Sequence, residues 1–152
     1  MSTPLRLLLP PGGFSNLVGH HVAALDAGLD TLKAAARALP AQALARARVQ
    51  GLPAPMEALR AAGRQECAWL HGAVGRVPSP REPAAGCGLE DLLSWLDAVR
   101  TVSLMVLRPL PDRDLERLVD LPGVRGRTSL RRLLAELLEH QAERRAEVRL
   151  GA

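Results

Sequence analysis

The 152-residue chain has no tyrosine and no isoleucine, and Phe14 is its only phenylalanine. With Trp69 and Trp95, aromatic residues amount to 2% of the chain. A core must therefore pack through Ala, Leu and Val, and the shortage of aromatic and β-branched residues disfavours sheet. The same shortage removes the stacking platform that single-stranded nucleic acid needs. Lysine occurs once, at Lys33; arginine supplies the rest of the 20 basic residues, which against 16 acidic ones leave a net charge of +4. No basic run exceeds two residues, so no nucleic-acid partner is expected. Two cysteines, Cys67 and Cys87, are too few for a disulfide scaffold and fit a reducing cytoplasm. No stretch approaches the ~20 apolar residues of a membrane span. The apolar run in "MSTPLRLLLPPGG" ends at a double proline with no small-residue cleavage site behind it. These absences predict a cytoplasmic protein with no membrane partner.

What is present is 47% apolar residues, enough at this length for one globular domain with a sizeable core. Apolar positions recur with the 3.6-residue period in four long segments. The first is expected from about Ser15, a suitable N-cap, to Leu39, where Pro40 stops it; its inner stripe is Val18, His21, Val22, Leu25, Leu29, Leu32, Ala36 and Leu39. The second is expected from Pro55 to His71, with proline in the first turn and Met56, Leu59, Gly63, Cys67 and Leu70 inward. The third, Leu89 to Leu107, carries Glu90 and Asp91 against its positive end and the stripe Leu92, Trp95, Leu96, Val99, Val102 and Val106. The fourth starts after Thr128 or Ser129 and reaches about Arg149.

Between the second and third lies "GAVGRVPSPREPAAGCG", unusually long for a compact domain. Between the third and fourth, one or two short helical turns are expected around Asp112 to Val119. Both links are long enough to cross a bundle, which predicts an all-α four-helix bundle with long crossover connections. No sustained period-2 stretch argues for sheet, although "ARARV" has the composition for one short strand.

The last helix breaks its own pattern. On a helical wheel Leu130, Leu133, Leu134, Leu137 and Leu138 cluster, and Val148 returns to their direction. Between them Gln141, Arg144 and Arg145 point the same way, with His140 at the flank. A polar cavity or the open end of a bundle is expected there, because burying an unpaired guanidinium is prohibitive.

The stretch "SLRRLLAELLEHQAERRAEV", with "SWLDAVRTVSLMVLRPLPDRDLERLV" before it, resembles the DinB-like superfamily. That group includes DinB/YfiT-type proteins and thiol-dependent S-transferases using mycothiol or bacillithiol. The resemblance implies a four-helix bundle holding a divalent metal on three histidines, one from the second helix and two spaced four apart on the last, in a pattern like H-x-x-x-H-R-G-Q. Here His140 matches the first of that pair and Arg144 stands at the second, followed by Arg145, Ala146 and Glu147. In "ALRAAGRQECAWL" Glu66 and Trp69 match the acid and aromatic of the second-helix segment, and the histidine position falls on Ala62.

Two of the three implied ligands are thus replaced. The leading expectation is a protein without metal or cofactor, in which Arg144 fills the metal's place as a fixed cation paired with Glu66. His140, Gln141 and Arg145 would complete a candidate pocket for a small anionic or thiol ligand, with Arg144 and Arg145 holding a carboxylate. The alternative is a rearranged metal site of His140, His21 and Glu66 on zinc or nickel. Its chemistry would be activation of a low-molecular-weight thiol for S-transfer. A nucleophilic Cys67 would be a further variant. A third reading is a structural homodimer through Leu93, Leu104 and Met105, which lie off the main stripe. No serine or cysteine triad and no phosphate-binding glycine loop is visible; "PPGGF" is too short for one.

Overall fold

The computed structural model describes residues 13–47 and 50–150. Four long helices form a bundle: α1 (Asn16–Arg37), α3 (Pro55–Glu66), α4 (Leu89–Leu107) and α5 (Leu130–Leu150), with a single short turn of helix, α2 (Ala41–Leu44), after the first. Helix α5 packs along α1 and α3, and α3 packs on α4. The architecture is all-α apart from one small hairpin, and the expected crossover links run through residues 76–88 and 108–129. Among the described residues no helix is long and apolar enough to cross a membrane.

Local sequence accounts for most helix ends. Pro55 opens α3 where its missing N–H costs nothing, and Glu90 and Asp91 occupy the first turn of α4. Ser15 stands at the N-cap of α1 with extended backbone, yet its hydroxyl donates to the Leu110 carbonyl at 2.9 Å instead of capping. The cap comes from far along the chain: Asp112 Oδ1 accepts from the Leu17 and Val18 amides at 2.9 and 3.1 Å. That contact ties the link after α4 to the start of α1.

Several expectations are corrected. The second helix does not stop at His71; it changes at Cys67 into a nine-residue π-helical stretch, Cys67–Gly75. The segment around Asp112 to Val119 is only partly helical: a 3₁₀ turn, Asp112–Glu116, gives way to β1 (Leu118–Asp120), antiparallel to β2 (Arg127–Ser129) with Val119 opposite Thr128. In "ARARV", Ala45 to Ala47 form a turn and bend, and the last two residues lie outside the described ones, as does the run Met1 to Gly12. On α4 the buried face drifts, so that Arg100, Ser103 and Leu107 are buried while Val102 and Val106 are half-buried. Leu93 belongs to the core and Leu104 packs against it; of the three residues proposed for a dimer face, only Met105 is well exposed.

The core is two apolar clusters end to end. One holds Val18, Val22, Leu25, Leu70, Leu107, Leu130, Leu133 and Leu137. The other holds Leu29, Leu32, Leu59, Leu92, Trp95, Leu96 and Val148. Each long helix passes from one cluster to the other and places polar residues at the crossing: Asp26 on α1, Glu66 on α3, Arg100 and Ser103 on α4, Gln141 on α5.

The long 76–88 link is ordered by a buried arginine. Arg60 donates to Glu82 at 2.7 Å, to the carbonyls of Pro83 and Ala84 at 2.8 and 2.7 Å, and to Cys87 Sγ at 3.5 Å. Arg64 grips the same Glu82 bidentately, and Trp95 Nε1 donates to the Pro80 carbonyl at 3.3 Å. A link without secondary structure is thereby fixed by side-chain donors meeting its bare carbonyls.

Candidate functional site

At the crossing between the clusters, Arg100 reaches from α4 toward α3 and meets Glu66 in a two-pronged pair, Nε to Oε2 at 3.0 Å and Nη2 to Oε1 at 2.9 Å. Its remaining nitrogen, Nη1, donates to Asp26 Oδ1 on α1 at 2.9 Å. The Gln141 amide oxygen accepts from Arg100 Nη2, and the amide nitrogen donates to the Leu25 carbonyl at 3.2 Å. Gly28 leaves the room this side chain fills, since a Cβ there would meet the Gln141 amide. One guanidinium thus holds all four long helices together. Burial opposes the charge on Arg100, but Glu66 and Asp26 outweigh it and hold its pKa above the ordinary guanidinium value.

The network continues through Ser103, whose hydroxyl donates to Glu66 Oε2 at 2.5 Å. Behind it lies His71, fully buried on the π-helical stretch. His71 Nε2 is 2.9 Å from both the Val99 carbonyl and Ser103 Oγ, and Nδ1 is 2.8 Å from Ser79 Oγ. A carbonyl accepts and cannot donate, so Nε2 carries the hydrogen and Nδ1 accepts from Ser79. The imidazole is therefore no base toward Ser103, and the pair is not a nucleophile–base dyad. Burial, chiefly, lowers the His71 pKa and keeps the ring neutral.

The residues singled out from sequence lie as follows. Glu66 and Gln141 share this buried layer. Arg144 does not reach Glu66; it turns along its own helix and pairs with Glu147, Nη1 to both oxygens at 2.9 Å. The expected Arg144–Glu66 pair is thus corrected to Arg100–Glu66, because Glu66 faces α4. Arg145 is half-buried. His140 rests edge-on against Trp69, ring centroids 5.4 Å apart at 78°. Two buried atoms on this face lack any protein partner, His140 Nδ1 and Arg144 Nε. His21 is half-buried beside Arg131, and its pKa is lowered by burial, then by Arg131 and His20. Leu138, placed in the stripe by the wheel, is 36% exposed.

Sequence reading passed over Arg100, Ser103, Asp26 and Arg60, and set His71 aside as the far end of the second helix. The test applied to the last helix would have found the first two. On a wheel of Leu89–Leu107, Arg100 and Ser103 lie four and seven residues beyond Leu96, on the apolar side. Nothing local marks His71, whose burial depends on the π-helical winding.

A family model described as the DinB superfamily matches residues 21–148, and the chain belongs to that superfamily. No curated protein and no solved structure matches it. The three-histidine metal set that the resemblance implies is not met by the residues present. The positions that the resemblance marks hold Ala62, His140 and Arg144, both Glu66 oxygens are engaged by Arg100 and Ser103, and a guanidinium stands at the carboxylate. Among the described residues, no three His, Cys, Asp or Glu side chains converge in a way that could hold an ion, so His140, His21 and Glu66 are not brought together.

Proposed function

We propose that this chain is a metal-free member of the DinB superfamily that binds a small ligand and does not carry out metal-dependent thiol transfer. One observation carries the reading: the only buried carboxylate of the central layer, Glu66, spends both oxygens on Arg100 and Ser103. A divalent ion there would have to displace a guanidinium held by three helices and a glutamine from the fourth. The Cys67 thiol supports the same reading against covalent catalysis. Burial, the largest influence, raises its pKa and keeps it protonated, the inert state for a cysteine.

The ligand-binding half of the reading rests on His140 Nδ1 and Arg144 Nε, buried, unpartnered and four residues apart on one helix face. A hydrogen-bond donor and an imidazole nitrogen left open together suit a small anion or a thiol. Protein purified without chelator and analysed by inductively coupled plasma spectrometry is expected to hold no stoichiometric divalent metal, and zinc or nickel titration to give no tight one-to-one binding. Near-equimolar zinc or nickel, together with thiol transfer to a model electrophile that is lost in His140→Ala, would reverse the reading in favour of an S-transferase.

A further inference from the structure

Two cavities of about 520 Å³ each lie at the hairpin end of the molecule, away from His140 and Arg144. They adjoin, because Val74 and Arg117 line both. Each falls within the ~300–1,000 Å³ common for small-molecule sites. Their chemistry differs sharply. The first is polar and carries Arg76, Arg117 and Arg127 against a single acid, Asp120. Asp120 is already paired with Arg127 at 3.3 Å, and the nearby Glu116 with Arg131 at 2.6 Å. Arg76 and Arg117 have no acidic partner among the described residues. The second is an apolar trough whose walls include Val77, Pro78, Val102, Met105, Val106 and Leu110, with Arg117 its one charged residue.

Arg76 is held there against its own backbone preference. It is the only non-glycine residue with positive φ among the described residues, at 52°, and it stands at the C-cap of the π-helical stretch. Glycine is the usual residue for that conformation. The glycine here comes one position early, and for a different reason: a Cβ on Gly75 would come within 2.5 Å of Val106 Cγ2. Packing against α4 therefore accounts for Gly75, and nothing in the packing accounts for an arginine at position 76.

We propose that the two cavities form one site for a small amphiphilic anion, an aliphatic carboxylate whose head pairs with Arg76 and Arg117 and whose tail lies in the trough beside Met105 and Val106. The unpartnered guanidiniums supply a bidentate match for a carboxylate, and the trough supplies apolar area for the tail, which the exposed Met105 and Val77 leave uncovered. The site is independent of the metal-free reading, since it uses no residue of the central layer. Metal analysis therefore tests one and leaves the other standing.

Calorimetric titration of the full chain with sodium decanoate, below its micelle concentration, tests the assignment. Saturable one-to-one binding is expected, with 1-decanol at least about tenfold weaker and acetate showing no binding. Arg117→Gln and Arg76→Gly are each expected to weaken decanoate about tenfold. Arg76→Gly should at the same time raise the melting temperature, because glycine relieves the backbone, so its loss of binding cannot be misfolding. Equal affinity for decanoate and decanol, unchanged binding in both arginine variants, or no saturable binding would each overturn the proposal.

Discussion

Arg100 carries its charge at 5% exposure, and two carboxylates and an amide make that tolerable. A buried pair is strongly destabilised when one partner is removed and far less when both are replaced by apolar groups. Arg100→Met is accordingly expected to lower the unfolding free energy by about 3–5 kcal/mol, and Glu66→Leu combined with Arg100→Met to recover most of it. Urea unfolding of the two variants and the parent measures this; a double variant as unstable as the single one would show that the pair is not a self-contained unit. The same residue scale governs the response to acid. Burial depresses the His71 pKa below its ordinary 6.5, so the unfolded chain takes up a proton that the folded chain refuses. Stability is therefore intact above about pH 6.5 and falls as the pH drops below it, by at most about 1.4 kcal/mol per unit for one group. Urea midpoints at pH 7.5, 6.0 and 5.0 are expected to decline in the parent and to decline less steeply in His71→Asn. His21, depressed in the same direction, adds to the decline.

At the scale of elements, helix spans were legible because caps, prolines and apolar period are local. The third helix runs from Leu89 to Leu107 as its stripe requires, and the fourth begins at Leu130. The π-helical winding of Cys67–Gly75 was not legible, since the wider turn keeps the same residues apolar and changes only which of them face inward. The hairpin escaped notice because two three-residue strands are too short for alternation to register. Gly63 shows how a residue that weakens a helix can be required by a helix pair. A Cβ there would collide with the six-membered ring of Trp95 and lie 2.9 Å from Leu96 Cδ2. Gly63→Ala gains about 1 kcal/mol of helix propensity but forces Trp95 from its place, at a cost of about 1–3 kcal/mol. The expected result is a less stable protein with a changed tryptophan emission, measured by thermal unfolding and fluorescence; a rise in melting temperature with unchanged emission would contradict the packing described.

At the scale of the whole molecule, the bundle is two apolar clusters separated by one polar layer of Asp26, Glu66, Arg100, Ser103 and Gln141. Periodicity and turn chemistry along the chain sufficed for the all-α class, the four long helices, the crossover links and the superfamily, because each depends on residues close in sequence. Gln141 could also be picked out, since a polar residue interrupting an apolar stripe is visible on a wheel, and Glu66 through its match to the acid of the family's second-helix segment. Which cation meets Glu66 was decided only by how the helices are rotated and levelled against one another. A residue advances a helix by ~1.5 Å and turns it by ~100°, so a shift of one position is enough to put Gln141, and not His140, against the buried guanidinium. No local rule sets that level. It follows from Leu25, Leu70, Leu107 and Leu137 filling one cluster and Leu29, Leu59, Leu92 and Val148 the other, which leaves Arg100 facing Glu66 and turns Arg144 back toward Glu147.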